Sequence, residues 1–363
     1  MNLQDSVIAV GMSGGVDSST AAALLVREGR RVIGMTMRFH HNDGDDGDDG
    51  GDGHCAPAVR DARTVAERLG IPHHVIDLAD RFERDVVSVF TGEYAAGRTP
   101  NPCVHCNRQL KFGGLLDHAR ALGAHALATG HYARIGRRDG RPMLRRAVDP
   151  IKDQSYFLSG LSREQLAQVQ FPLGEYRKED TRRLAREIGL PVADKSESME
   201  ICFVPNNDYR TFLDERIGPP RPGPIITSDG RVLGEHNGLR YYTIGQRKGL
   251  GIAAERPLYV IRIDAERNAL VAGFEDETYS SELSADQANW YIDPPAAPFE
   301  CQVKIRYNQR PVPCRVIPDA HGLAFHVRFP DRIRAIAPGQ SAVLYDDEYV
   351  IGSGIIASAV PAH

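Results

Sequence analysis

Apolar and polar positions follow two different periods along this chain, and the change between them divides it. Residues 6–12 (SVIAVGM) form a short, continuously apolar run, the pattern of a strand buried on both faces. SGGVDSS comes next and leads into a helical run over Ser18–Arg27, which Gly29 ends. The pattern then predicts a strand at 31–37, a helix at 58–69, a strand at His73–Leu78 and a helix at 81–96. Gly97–Asn107 holds two prolines and reads as a loop. Lys111–Leu122 reads as a helix, and His125–Thr129 as a strand stopped by Gly130. Strands alternating with helices predict an α/β domain with a parallel sheet.

The period changes past about residue 155. Residues 162–169 and 178–189 look helical, and GPPRPGP at 218–224 marks a boundary. Beyond it come short segments separated by turn residues: PIITSDG, LRYYTIGQ, LYVIRID and NALVAGF, then CQVKIRY, PCRVIP, LAFHVRF, SAVLYDD and EYVIGSGII. These predict β structure ending in a barrel or sandwich. The expected organisation is an α/β domain over 1–215, helical from about 155, a central β-rich domain over 216–284, and a C-terminal β-barrel over 285–363.

Composition changes this picture little. The chain has 363 residues, 42% hydrophobic and 25% charged, as in ordinary globular proteins. No stretch of about 18 apolar residues predicts a membrane-spanning helix. The N-terminus has no basic segment followed by a long apolar run, so it reads as the start of a cytoplasmic domain. Charge is more informative. Net charge is −4, but six aspartates fall within residues 42–54 (NDGDDGDDGGDGH). Without them 44 basic residues face 42 acidic ones. Residues 301–340 carry seven Lys or Arg against two Asp, so an anionic partner such as nucleic acid fits.

Candidate chemistry begins at SGGVDSS. Gly14 and Gly15 allow a tight turn between strand and helix, and the N–H groups opening the helix then face an anion. Ser13, Ser18 and Ser19 add hydroxyls, and Asp17 is placed to position Mg²⁺ or to cap the helix. The loop lacks the GxxxxGK[ST] pattern and resembles the SGGxDS loop of the ATP-pyrophosphatase (PP-loop) superfamily. Met37 ends the second strand, where it would pack on an adenine ring or in the core. Gly130 stands at the carboxyl edge of a strand, where ligands bind in parallel sheets.

Six cysteines are too few for a disulfide scaffold. Cys103 and Cys106 form a CxxC before a helix, where a thiol's pKa falls. Cys202 stands in SMEICFV, and Cys55, Cys301 and Cys314 are scattered. No second CxxC completes a four-ligand zinc site.

GMSGGVDSS, GRTPNPCVHCNRQLKF, ATGHYAR, KDQSYFL, SESMEICFV, YYTIGQRKGLGI, VKIRY and PGQSAVLYDDE occur in this order, spanning about residues 6–357. In this the chain resembles the bacterial tRNA-specific 2-thiouridylases (the MnmA or TrmU family). The resemblance implies an adenine-nucleotide α-hydrolase-like domain and replacement of the 2-oxygen of the wobble uridine of lysine, glutamate and glutamine tRNAs by sulfur, through an adenylated uridine. It implies that Gly11, Met12, Ser13, Gly14, Gly15, Val16, Asp17, Ser18, Met37 and Gly130 bind ATP with Mg²⁺. Asn101, Pro102 and Cys103 would touch the target base, and Lys152, Asp153, Gln154, Arg306 and Tyr307 would contact tRNA. Cys106 corresponds to the family's nucleophile and Cys202 to its persulfide carrier, the two closing into a disulfide after sulfur transfer. Sulfur would arrive from a cysteine desulfurase or a sulfur relay protein, and a monomer is expected.

Two departures stand out. Many relatives carry Asp where this chain has Cys103. Three thiols, Cys103, Cys106 and Cys202, could then ligate a 4Fe–4S cluster, or Cys103 could stand beside a persulfide relay; both readings remain open. The Asp/Gly stretch reads as a solvated insertion whose spacing does not match an EF-hand. For tRNA phosphates the chain offers Arg137, Arg138, Arg145 and Arg146, then Arg247 and Lys248, then Lys304, Arg306, Arg310 and Arg315. Two other functions are weighed against thiouridylation: another PP-loop RNA thiolase, which would lack KDQSYFL and GQRKGLG, and a non-catalytic tRNA-binding or metal-storage protein, which would not need an intact SGGVDSS.

Overall fold

The structure is a computed structural model that describes residues 6–39, 57–196 and 201–361. The Asp/Gly insertion at 42–54 and Cys55 lie outside the described residues. The chain forms two compact units. One gathers Met1–Val86, Cys103–Met199 and Glu348–Val350; the other gathers Val87–Pro102, Glu200–Asp347 and Ile351–His363.

The helices are α1 (Val16–Arg27), α2 (Pro57–Leu69), α3 (Ala79–Phe82), α4 (Ser88–Ala95) and α5 (Pro102–Cys106). After them come α6 (Leu116–Ala121), α7 (Ser155–Leu158), α8 (Arg163–Leu166), α9 (Lys178–Ile188) and α10 (Tyr209–Ile217). The first unit is built on β1 (Val7–Gly11), β2 (Arg31–Arg38), β3 (His73–Asp77), β4 (Ala124–Thr129), a hairpin of β5 (Arg134–Arg138) and β6 (Arg141–Arg145), and the short β7 (Val169–Gln170). β3, β2, β1, β4 and β7 lie in that order in one parallel sheet. The central β1 is covered on both faces, and Ile8, Ala9 and Val10 are wholly buried, which is why its sequence is continuously apolar. α1, rich in Ala and Leu, packs with α2 and α9 over one side of the sheet.

The sheet order positions the site. The chain leaves β1 toward β2 and β3, then returns to the other side of β1 for β4. The order therefore reverses between β1 and β4, and at such a reversal the carboxyl ends of the strands splay loops apart and leave a ligand crevice. SGGVDSS comes directly after β1 and Gly130 directly after β4, so both stand at that point.

In the second unit a four-stranded sheet runs in the order β10 (Tyr259–Asp264), β11 (Ala269–Gly273), β8 (Gly223–Ile226), β9 (Val232–His236). Six further strands close a barrel. They are β12 (Tyr279–Trp290), β13 (Phe299–Lys304), β14 (Val312–Pro318), β15 (Phe325–Arg334), β16 (Ser341–Asp346) and β17 (Tyr349–Pro361). Their order is β12-β15-β14-β13-β16-β17, and a β12–β17 pairing completes the ring. β15 shows the alternation plainly: Phe325, Val327 and Phe329 are buried while His326 and Arg328 are exposed. In the same unit Phe90 of α4 packs edge-on against Phe203 and Phe212.

Four local expectations are corrected. The loop expected over Gly97–Asn107 ends at Pro102, where α5 begins. Proline suits the first helical turn, because its missing N–H would have no partner there. Helix then continues to Ala121, with wider π-type turns over Asn107–Leu115. There the Gln165 side-chain amide donates to the carbonyls of Arg108 (3.0 Å) and Phe112 (2.7 Å), replacing ladder bonds. LRYYTIGQ is a single 3₁₀ turn at Leu239–Tyr241, not a strand. β5 and β6 were not expected, although Asp139-Gly140 between them, both with positive φ, is a strong hairpin signal. β12, interrupted by polar residues and register shifts, was not expected either.

Candidate active site

The conformation of the loop after β1 is set by its glycines. Gly14 has φ +67°, and a Cβ there would stand 2.4 Å from the Ala58 carbonyl oxygen. Only glycine fits such a turn. Gly15 caps α1 in extended conformation, and no side chain caps the helix start. The opening N–H groups of α1 thus keep their capacity for an anion. Ser18 Oγ accepts from the Ser13 amide at 3.1 Å and fixes the loop's curvature. Ser19 is wholly buried and its hydroxyl donates to the Gly15 carbonyl at 2.8 Å. On the β4 side, a Cβ on Gly130 would meet the Ser18 amide nitrogen at 2.5 Å. The two motifs are pressed together, and the cradle is lined by backbone.

Asp17 does not cap the helix. Its carboxylate receives the Lys178 ammonium on both oxygens, at 2.7 and 2.8 Å, and the Tyr132 hydroxyl at 2.9 Å. Lys178 is buried, with its ammonium 5.7 Å over the Tyr132 ring. The Lys178 amide donates to Asp149 at 3.0 Å, which seats the start of α9. Burial pushes the Asp149 carboxyl up, but backbone N–H groups of Lys178, Ile151 and Lys152 outweigh it and hold the carboxyl below its ordinary value. A second lysine, Lys195, donates to the Gly14 carbonyl at 3.1 Å and pairs with Asp61. Sequence reasoning missed both lysines, because neither lies in a motif recognised by spacing.

The methionines part company. Met12 is buried, its amide bonded to the Met35 carbonyl, and a Cβ on Gly34 would meet its sulfur at 2.6 Å. Its side chain is core and only its backbone faces the loop. Met37 is half-buried near the end of β2, at the same sheet edge as Gly11 and Gly130.

His131 stands next to Gly130. Its Nδ1 lies 2.7 Å from Thr129 Oγ1 and its Nε2 lies 3.4 Å from Lys111 Nζ. An ammonium can only donate, so Nε2 accepts and the ring is neutral. Burial, then the Lys111 charge, hold its pKa well below the ordinary value. Lys111 thereby ties the helical segment after Cys106 to the end of β4.

Cys103 is exposed and Cys106 buried, one turn apart on α5. Asn101 is half-buried and Pro102 buried. Cys202 is exposed and belongs to the second unit. Lys152 is half-buried. Asp153 is buried and accepts from the amides of Ala147 (3.1 Å) and Ser155 (3.2 Å) and from the Ser155 hydroxyl (2.9 Å). Gln154 accepts from the Tyr132 amide at 2.9 Å. These two side chains shape the segment from within. In the barrel, Arg306 donates to the Ala335 carbonyl, and Lys304 lies 5.2 Å over the Tyr307 ring. Arg145 pairs with Glu348, which Arg134 also reaches at 2.8 Å, whereas Arg247, Lys248, Arg310 and Arg315 are exposed.

Comparison with known proteins matches nearly the whole length. Residues 6–206 fit the family profile described as a tRNA methyl transferase HUP domain, 210–273 its PRC-barrel domain, and 280–356 an aminomethyltransferase β-barrel domain. The chain is 48% identical over 361 residues to the tRNA-specific 2-thiouridylase MnmA of Geotalea uraniireducens, covering 97% of this chain and 95% of that one. It is 49% identical to the protein of the same name from Pelobacter propionicus, over 97% and 98% of the two chains. A solved U34-tRNA thiolase NcsA from Methanococcus maripaludis is similar over 59% of this chain and 66% of that one, with 18% identity and a TM-score of 0.33.

Proposed function

The chain belongs to the MnmA family of tRNA-specific 2-thiouridylases, enzymes of tRNA 2-thiolation, and from that premise we propose that it activates the 2-oxygen of the wobble uridine with ATP and replaces it by sulfur carried on its own cysteines. The observation that carries the reading is the backbone cradle at the β1/β4 reversal, where Gly130 packs directly against the first turn of α1 and no side chain caps that helix. The opening N–H groups of α1 suit the pyrophosphate of ATP. The loop Gly11, Met12, Ser13, Gly14, Gly15, Val16, Asp17 and Ser18, with Met37 and Gly130, is the proposed nucleotide site. Lys178 neutralises Asp17 there, and Mg²⁺ would be held by the nucleotide phosphates and the loop.

An amide-like oxygen leaves poorly at neutral pH. The uridine 2-oxygen bonds to the α-phosphorus as pyrophosphate departs, and AMP then becomes the leaving group. The terminal sulfur of a Cys202 persulfide goes to C2, AMP departs, and Cys106 closes on Cys202 as a disulfide that an external thiol reopens. The persulfide sulfur comes from a desulfurase or relay protein. Asn101, Pro102 and Cys103 would face the base. Lys152, Arg306 and Tyr307 would contact tRNA, with Asp153 and Gln154 shaping the segment. In a second reading Cys103, Cys106 and Cys202 would hold a 4Fe–4S cluster, which when bound supplies an open iron for sulfide; the described residues show no such group of three ligands, so the persulfide reading is preferred. The enzyme is proposed to be a cytoplasmic monomer.

The test is anaerobic thiolation of unmodified lysine tRNA with ATP, Mg²⁺ and a sulfur donor, run on iron-free and cluster-reconstituted protein. Iron-free protein is expected to make 2-thiouridine, and Cys106→Ser or Cys202→Ser to abolish it. Activity only after reconstitution, lost also in Cys103→Ser, selects the cluster. No 2-thiouridine from either form overturns the proposal.

A further inference from the structure

Two cysteines that the chain separates and the mechanism does not use meet in the barrel. Cys301 on β13 and Cys314 on β14 stand directly opposite each other in the antiparallel register, with Sγ atoms 3.7 Å apart. Cys314 is buried and Cys301 is half-buried. Opposed residues on antiparallel strands have Cα atoms about 4.5–5.5 Å apart, within the roughly 4.4–6.8 Å that a disulfide spans. The sulfurs therefore reach bonding distance by side-chain rotation with the ladder intact.

We propose that Cys301 and Cys314 form an oxidative modification site, at which a low-molecular-weight disulfide of the glutathione class converts the pair into a cross-strand disulfide. Burial assigns the roles. The Cys301 thiolate is the accessible one and attacks the small disulfide, forming a mixed disulfide and releasing one thiol. The Cys314 thiolate then attacks Cys301 Sγ and displaces the second small thiol. Two protein thiols lose two electrons to the small disulfide, and their two protons end on the two released thiols. The hydrogen bond to Cys314, then burial, push the Cys301 thiol up, so exchange at this pair is slower than at an exposed cysteine of ordinary pKa. The bond would close the hairpin that carries Lys304, Arg306, Tyr307 and Arg310. The site stands independently of the functional reading above.

The experiment equilibrates the full chain with oxidised and reduced glutathione at several ratios, blocks remaining thiols by alkylation, and maps tryptic peptides by mass spectrometry. Lys304 and Arg306 lie between the two cysteines, so trypsin separates their peptides unless a disulfide joins them. The expected product is the joined pair, two hydrogens lighter than the separate peptides and lost on reduction. Cys314→Ser should trap glutathione on Cys301, and Cys301→Ser should leave Cys314 unmodified. Peptides that stay separate at every ratio overturn the proposal, as does joining of either cysteine to Cys103, Cys106 or Cys202 instead. Because the wild-type chain gives the primary result, a variant that fails to fold does not decide it.

Discussion

Replacing Lys178 by Met tests what the Asp17 ion pair does. The ammonium sits on both carboxylate oxygens, and Lys178 is 8% exposed. Removing one partner of a buried ion pair costs about 3–5 kcal/mol, chiefly because the other charge is left without compensation. The Asp17 side chain keeps 31% exposure, so water recovers part of this, and about 2–3 kcal/mol remains. For a domain of this size that lowers Tm by roughly 4–12 °C. Asp17 also stands in the first turn of α1, where its uncompensated charge would oppose the phosphates of ATP. A tenfold rise in KM for ATP, about 1.4 kcal/mol, is expected, with a smaller change in kcat. Asp17→Asn added to Lys178→Met leaves a neutral pair and should restore about half of the lost stability, a coupling of about 1–2 kcal/mol. The assay combines thermal unfolding with ATP titration of tRNA-dependent pyrophosphate release for wild type, both single variants and the double. Single-variant losses that simply add, or an unchanged KM in Lys178→Met, would refute the charge-balance argument.

Gly130→Ala forces a Cβ to 2.5 Å from the Ser18 amide, so it should cost about 1–3 kcal/mol and about a hundredfold in ATP-dependent thiolation; Gly15→Ala meets only Ser13 Oγ at 3.6 Å and should unfold within a few degrees of wild type. Equal Tm losses in the two would contradict that packing. His131 has a folded pKa below its unfolded value, so an unfolded chain takes up a proton first as pH falls. Its contribution is intact above about pH 6.5 and is lost as pH falls toward the folded pKa, alongside those of His73 and His236, which burial shifts the same way. His131→Gln should remove up to about 1.4 kcal/mol per pH unit of that slope in denaturant titrations between pH 6.5 and 5.5. Arg306→Glu should weaken tRNA binding and lower the slope of log K against log salt by about one, with Tm falling by a few degrees because the bond to the Ala335 carbonyl is lost. Identical salt slopes would remove Arg306 from the interface.

The parallel sheet was legible because its strands are buried on both faces and must be apolar throughout, and because α1 begins at a glycine turn. The tight backbone turn after β1 was legible too: Gly14 stands where a Cβ cannot fit, and that constraint is written in a single residue. The helix at Pro102 was misread because one proline serves as loop former or as first helical residue, depending on the residues C-terminal to it. The side chains that equip the cradle were not legible. Lys178 reaches Asp17 across 161 positions, and Lys111 meets His131 across twenty. Cys301 and Cys314 looked scattered until strand register set them face to face. Local pattern reports what each residue needs from its own neighbours along the chain. Which distant charge or thiol meets it is decided by strand order and helix packing, because those contacts exist only once the sheet and the barrel have formed.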